Sequence, residues 1–150
     1  MSLKVQIEAD IKKAMLARQK DELKALRAIK SMILLAETEK GGSGDVSEDA
    51  ELKLLMKAVK QRKDSAQIYK DQGREDLAST EEAEIAVIEK YLPKQLSEAE
   101  IKVELEKIIA QVGATGPQDM GKVMGMASKA MAGKADGKTI SGIVKSILVG

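Results

Sequence analysis

Helical periodicity is the feature that most constrains this chain, because apolar residues recur every three or four positions from one end to the other. No segment of the sequence alternates apolar and polar residues in the manner of a strand. The only aromatic residues are Tyr69 and Tyr91, so the core has to be built from Leu, Ile, Val, Ala and Met side chains. With 43% hydrophobic and 33% charged residues, the 150-residue chain has a globular composition. The sequence therefore predicts an all-α protein.

Capping and loop signals predict the helix boundaries in the first part of the chain. Asp21 is predicted to cap the second helix, and the glycine-rich residues 41–45 are predicted to form the loop that follows it. A long helix is expected within residues 47–73, because a serine precedes it and a glycine ends it. Ser79 with Glu82 has the pattern of a capping box, which predicts that the next helix begins there.

Pro93 marks the predicted boundary between two helical parts. A proline cannot continue a helix, and it disfavours helical geometry in the residue before it. Ser97 and Glu100 then form a second capping box, which opens the first of three short helices. We expect residues 1–92 to form an N-terminal antiparallel helical bundle and residues 93–150 to form a small C-terminal three-helix domain.

The amino-acid composition excludes several kinds of functional site. The chain has no cysteine and no histidine, so disulfides, thiolate nucleophiles, imidazole ligands and the usual general base near neutral pH are absent. We predict no catalytic residue, no cofactor and no metal site. The formal net charge of +1 provides no global attraction to a membrane, and no apolar run has the length that a bilayer requires. A cytoplasmic protein without a membrane partner is expected, and its oligomeric state is left open.

Residues 119–148 contain the one local excess of a single charge sign. Five lysines lie there against two acidic residues, Asp119 and Asp136. We call these lysines the C-terminal lysine set, and they are Lys122, Lys129, Lys134, Lys138 and Lys145. They are the candidate nucleic-acid-binding residues, because lysines neutralise phosphates without reading bases. The alternative interpretation is that they form an ordinary solvated surface.

Residues 132–139, AGKADGKT, match a relaxed form of the sequence pattern of the phosphate-binding loop of nucleotide hydrolases, but they lack its structural context. Such a loop follows a buried strand, whereas the residues before this one have helical periodicity. The sequence predicts a joint between two helices, in which Gly133 ends one helix and Asp136 caps the next. In the helix before the joint, Gly121 and Gly125 are predicted to permit close approach of a neighbouring helix.

Several segments together resemble the YqeY-like proteins, which are related to the C-terminal region of the GatB subunit of the tRNA-dependent amidotransferase. The resemblance covers essentially the whole chain. Its segments are LRAIKSMI (26–33), VKQRKDSAQIY (59–69), GREDLASTEEAEI (73–85), YLPKQLSEAEI (91–101), DMGKVMG (119–125) and GKADGKTISGIVK (133–145).

The resemblance implies an all-helical protein whose small tail domain contacts tRNA. It favours a non-catalytic tRNA-binding or RNA-binding protein, since the catalytic machinery of the whole amidotransferase has no counterpart in this sequence. Two alternatives remain at this point. One is an adaptor whose helical grooves hold a protein partner, such as an amidotransferase subunit. The other is an accessory to glutamine-dependent carbon–nitrogen ligase activity.

Overall fold

The protein is described by a computed structural model that covers residues 2–39 and 46–149. Within these ranges the chain forms seven α-helices and no strand, which confirms the all-α prediction. The helices are α1 (Leu3–Leu16), α2 (Lys20–Glu39), α3 (Glu48–Asp71), α4 (Glu75–Glu89), α5 (Glu98–Val112), α6 (Met120–Ala130) and α7 (Gly137–Val149). The loop predicted at residues 41–45 lies outside the described ranges.

The chain divides into two compact units, Met1–Leu92 and Pro93–Gly150. Each unit has its own hydrophobic core, made of aliphatic and methionine side chains. No helix in the described ranges is long and apolar enough to cross a membrane.

Ion pairs fix the direction of the first two helices of the N-terminal unit. The Nζ atom of Lys4 lies 3.2 Å from Oε2 of Glu37, and Nζ of Lys30 lies 3.6 Å from Oε1 of Glu8. Since the start of α1 is tied to the end of α2, the two helices run antiparallel. The side chains that these helices bury, together with those of α3 and α4, fill one core that includes Ile7, Leu26, Leu55 and Ile88.

Two helix starts in the N-terminal unit differ from the sequence prediction. Helix α2 begins at Lys20, so Asp21 lies in its first turn and does not precede it. Helix α4 begins at Glu75, so Ser79 lies inside the helix and the predicted capping box is wrong. The other residue of the predicted box, Glu82, instead forms an ion pair, with 2.5 Å between its carboxylate and Nζ of Lys70. Only a short turn separates α3 from α4. Helix α4 therefore starts four residues before Ser79.

Other predicted boundaries are confirmed by their hydrogen bonds and backbone angles. The Oγ atom of Ser47 accepts a hydrogen bond from the Ala50 N–H at 3.2 Å, as expected of the residue that caps α3. Gly73 follows α3 with φ 72°, in the left-handed region that glycine reaches without a steric cost. In the C-terminal unit, Oγ of Ser97 accepts from the Glu100 N–H at 3.2 Å and caps α5.

The C-terminal unit is built from α5, a short 3₁₀ turn at Pro117–Asp119, α6 and α7. Each of the three helices packs against the other two around one core. Its fully buried side chains include Leu105, Val123, Met131, Ile140 and Val144. Because these residues recur at helical spacing, the opposite side of each helix faces solvent. The lysines of α6 and α7 lie on these solvent-facing sides.

Candidate nucleic-acid interface

Helix α6 presents two lysines of the C-terminal lysine set on one face. Lys122 and Lys129 are seven residues apart, which is two helical turns or about 10 Å along the axis. Both are exposed, while Val123 and Ala127 on the other side of the helix are buried in the core. The two ammonium groups are therefore held on a rigid element with the same outward direction.

Helix α7 repeats this arrangement with a second pair. Lys138 and Lys145 are also seven residues apart and exposed, and Ile140 and Val144 on the opposite side are buried. An exposed glycine, Gly142, lies between the two lysines on the same face. The lysine set thus consists of two helical pairs and one loop lysine, and the pairs point away from the shared core.

The loop lysine, Lys134, is held through its backbone. Its carbonyl oxygen accepts a hydrogen bond from the Leu96 N–H at 2.9 Å, and its own N–H donates to the Met131 carbonyl at 3.0 Å. Next to it, the Gly133 carbonyl accepts from Nε2 of Gln95 at 2.7 Å. The segment before α5 therefore fixes the joint between α6 and α7, and the exposed Lys134 side chain projects from an ordered loop.

Both acidic residues of this region accept local hydrogen bonds from backbone N–H groups, and Asp136 caps α7 in this way. The Oδ2 atom of Asp119 accepts from the Thr115 N–H at 3.0 Å. Asp136 accepts from the Thr139 N–H at 2.7 Å and from the Thr139 hydroxyl at 3.0 Å. In the described residues neither aspartate forms a salt bridge with a member of the lysine set, and no member has an ion pair with any other residue. Within the described residues these five ammonium groups therefore have no paired carboxylate.

Residues 132–139 connect two helices, as the sequence predicted, and Asp136 caps the second of them. The residues before it form α6, and Gly137 is the first residue of α7. The Thr139 hydroxyl, which would face a magnesium ion in a phosphate-binding loop, donates to the Asp136 carboxylate. Helix α6 ends at Ala130, earlier than the sequence predicted, and Gly133 lies in the turn that follows with φ 75°. This geometry does not provide the cradle that nucleotide phosphates require.

The predicted role of the α6 glycines is wrong. A Cβ atom placed on Gly121 or Gly125 would meet no atom within 4 Å, apart from chain neighbours and the backbone of the helix itself. Both glycines are exposed and lie away from the core side of α6, so no helix in the described part of the chain approaches them. Gly125 instead lies between Lys122 and Lys129 on the outer face, as Gly142 does between the lysines of α7.

Sequence reasoning missed Gln95 as a residue that shapes this site. The signal was present, because Gln95 lies in the YLPKQLSEAEI segment and Gly133 lies in the GKADGKTISGIVK segment, both of which carry the family resemblance. Only the fold shows that these segments meet. Within residues 2–39 and 46–149 there is no group of three or more acidic side chains that could hold a metal ion.

These observations define a class: an all-helical protein with two compact units, the second of which exposes five lysines that have no ion pair in the described residues. The chain belongs to the YqeY-like family, since the family profile described as Yqey-like protein matches residues 4–148.

Curated relatives in fungi share substantial identity with the chain. It is 36% identical over 110 residues to "Altered inheritance of mitochondria protein 41, mitochondrial" of Clavispora lusitaniae, which covers 72% of this chain and 63% of the relative. The protein with the same name in Meyerozyma guilliermondii is 36% identical over 123 residues, covering 80% and 64% of the two chains. That of Pyrenophora tritici-repentis is 28% identical over 145 residues, covering 95% and 78%.

The relatives correct one prediction and limit what can be transferred. The relatives are named as mitochondrial proteins, which contradicts the cytoplasmic location expected from the sequence. That expectation was wrong because it rested on the net charge and on the absence of an apolar run of bilayer length, neither of which distinguishes one compartment from another. The chain spans less than two thirds of the length of the first two relatives.

Proposed function

We propose that the C-terminal unit is a non-catalytic module that binds structured RNA of the tRNA class through the C-terminal lysine set. The observation that carries this proposal is that all five lysines are exposed and, in the described residues, without ion pairs. Such ammonium groups can neutralise phosphates without first breaking an intramolecular contact. Asp119 and Asp136 accept hydrogen bonds from backbone N–H groups and, in the described residues, pair with none of these lysines.

The side-chain chemistry favours structured RNA over single strands. Both tyrosines belong to the N-terminal unit, so the C-terminal unit has no aromatic platform on which an unpaired base could stack. The lysine pairs on α6 and α7 are held two turns apart on rigid helices, which suits the regular phosphate backbone of a helical stem. Between the lysines, the exposed Gly125 and Gly142 allow a phosphodiester chain to approach the helix surface closely. The resemblance to the tail of the tRNA-dependent amidotransferase narrows the class to tRNA.

A salt-dependent titration tests the proposal. The affinity of the wild-type protein for tRNA is measured at about 50 mM and about 200 mM salt, and it should fall steeply because counterions are released from the RNA. A Lys122→Gln/Lys134→Gln/Lys138→Gln variant should bind more weakly and show a salt slope reduced by about 2 to 3. A single-stranded oligonucleotide of equal length should bind less tightly than tRNA.

A charge-matched control separates a local surface from general attraction. Lys53, Lys57 and Lys60 on α3 are also exposed and, in the described residues, have no ion pair, so replacing them with Gln removes the same charge elsewhere. If both triple variants lose the same affinity, the C-terminal surface is not the binding site. If wild-type protein does not bind tRNA at low salt, and nuclease-treated lysate still yields a bound protein partner, the adaptor hypothesis replaces this proposal.

A further inference from the structure

The turn between α1 and α2 exposes two large apolar side chains. Leu16 is 87% exposed and Met15 is 54% exposed, and together they lie at the end of the α1–α2 hairpin. We call residues 12–20 the α1–α2 tip. Every residue of the tip except Ala14 is exposed. The tip is an exposed end of the α1–α2 hairpin, and we call its two large apolar side chains, Met15 and Leu16, the apolar crown.

The tip is ordered, so the exposure of Leu16 is built into the fold. The Gln19 N–H donates to the Ala14 carbonyl at 3.0 Å, and the Arg18 N–H donates to the Met15 carbonyl at 3.2 Å. These two bonds form the motif in which a helix ends on a residue in left-handed conformation. Leu16 belongs to the last turn of α1 and is fixed by it.

Arg18 occupies a backbone conformation that this chain otherwise gives to glycine. Its φ is 56°, and it is the only described residue other than glycine with a positive φ. Three glycines take this conformation elsewhere, namely Gly73, Gly113 and Gly133. A side chain in the left-handed region carries a steric cost that glycine avoids. Backbone geometry alone therefore does not favour arginine over glycine at this position.

The tip is strongly basic, and its local structure does not account for this charge. Between Asp10 and Asp21 the sequence has four cationic residues and no acidic one, and the cations are Lys12, Lys13, Arg18 and Lys20. Only Lys13 has an ion pair in the described residues, to Asp10 at 3.9 Å. Arg18 and Lys20 lie at the N-terminal end of α2, where the helix dipole disfavours positive charge.

We propose that the α1–α2 tip docks on the surface of a membrane that contains anionic phospholipid. Met15 and Leu16 enter the boundary between headgroups and acyl chains, and the four surrounding cations contact the phosphate and carboxylate groups of the lipids. An apolar crown ringed by lysine and arginine is the pattern by which peripheral proteins bind anionic bilayers. The net charge of +1, which argued against a membrane partner, averages this local charge with acidic residues elsewhere.

The membrane is favoured over the other anionic partners by the apolar side chains of the tip and by their exposure. An RNA backbone would use the cations but would leave Leu16 in contact with polar groups. An acidic amphipathic peptide requires a groove for its apolar side, whereas both side chains of the crown are more than half exposed. A lipid interface accommodates both the charge and the crown. This inference is independent of RNA binding by the C-terminal unit.

Co-sedimentation with lipid vesicles tests the proposal directly. The wild-type protein should bind vesicles of phosphatidylcholine mixed with phosphatidylserine, should bind pure phosphatidylcholine vesicles weakly, and should be released by salt. A Met15→Ser/Leu16→Ser variant should lose about tenfold or more in partition coefficient, because the insertion of apolar area is lost. A Lys12→Gln/Arg18→Gln/Lys20→Gln variant should lose about 100-fold, whereas the Lys53→Gln/Lys57→Gln/Lys60→Gln control should lose much less.

A single tryptophan reports insertion, because the natural sequence has none. In a Leu16→Trp variant the emission should shift to shorter wavelength on addition of the mixed vesicles. A Leu35→Trp variant, placed at a 60% exposed position near the other end of α2, should show no shift. Failure of wild-type protein to bind the mixed vesicles at low salt, or equal binding by the Met15→Ser/Leu16→Ser variant, overturns the proposal.

Two further outcomes would assign the tip to another partner. If tRNA alters Leu16→Trp emission and vesicles do not, the tip is a nucleic-acid surface and the proposal is wrong. If wild-type protein sediments as a dimer and Leu16→Ser sediments as a monomer, the crown is a contact between copies and the proposal is again wrong. An Arg18→Gly variant adds a separate readout: it should raise the melting temperature while weakening vesicle binding, a combination that a purely structural role for Arg18 does not produce.

Discussion

The Nε atom of Arg62 on α3 lies 3.1 Å from the Oε2 atom of Glu84 on α4, and among the described residues Glu84 is the one charged residue that is buried. The other carboxylate oxygen of Glu84 lies 3.6 Å from Nζ of Lys24 on α2. Arg62 also donates from Nη1 to the Ala58 carbonyl at 3.1 Å. One buried carboxylate thus connects three helices of the N-terminal unit.

Replacement of Glu84 by Gln should destabilise the N-terminal unit by about 3 kcal/mol, because Arg62 would keep its charge in a largely buried site without a counterion. Urea unfolding followed by circular dichroism measures the change. Glu82→Gln is the matched control, since Glu82 pairs with Lys70 at the surface and loss of that pair should cost much less. Equal losses of unfolding free energy in the two variants would show that the buried Glu84–Arg62 pair matters no more to stability than the surface Glu82–Lys70 pair.

Tyr91→Phe should lower stability by about 1 to 2 kcal/mol at neutral pH, because the Tyr91 hydroxyl donates a hydrogen bond to the Asp10 carboxylate. Burial, and then this hydrogen bond, raise the pKa of Tyr91 above its usual value. A raised pKa in the folded state contributes stability that is present below the unfolded pKa of about 10 and is lost as pH rises above it. The stability of the wild-type protein should therefore fall more steeply than that of Tyr91→Phe above this pH.

Chemical unfolding at a series of alkaline pH values provides the comparison for Tyr91. Tyr69→Phe serves as the control, because it leaves the bond between Tyr91 and Asp10 intact and should retain the steeper loss. Identical pH profiles for wild type and Tyr91→Phe would contradict the assigned role of this phenol.

Two glycines of the C-terminal unit should respond to alanine in opposite directions. Gly113 has φ 69°, so alanine there should cost about 1 kcal/mol from backbone strain, although no atom lies near the new methyl group. Gly121 is exposed in α6 with equal free space, so alanine there should stabilise the unit by up to about 1 kcal/mol through helix propensity. Thermal unfolding of the two variants measures both signs, and a shift in the same direction would refute the explanation.

Asp136→Ala should destabilise the C-terminal unit by about 1 to 2 kcal/mol, because the Thr139 N–H and hydroxyl lose their acceptor at the start of α7. Asp136→Asn should lose much less, since asparagine is also a favoured capping residue. Amide hydrogen exchange in the first turn of α7 locates the effect. Similar behaviour of the two variants would mean that the charge of Asp136, and not its capping bond, stabilises the helix.

The sequence was a good guide to the helices and a poor guide to some of their starts. The helical period can be recognised from residues that are close together along the chain. The serines at positions 47 and 97 cap their helices, as local capping rules predict. Ser79 had the same local pattern, yet it lies inside α4 because the turn at Gly73 leads directly into the helix. For the candidate site, exposure of the lysines followed from periodicity, whereas the free space at Gly125 did not.

What the sequence alone determined is therefore the set of properties that depend on residues close together along the chain: the all-α class, the cap at Asp136, the identity of the lysine set and the absence of thiol and imidazole chemistry. Tertiary structure alone decided which distant groups meet. It buried Glu84 beside Arg62, joined Asp10 to Tyr91, and set Gln95 against Gly133. The physical reason is that local signals act within a turn or two of helix, while burial and pairing depend on how whole helices pack.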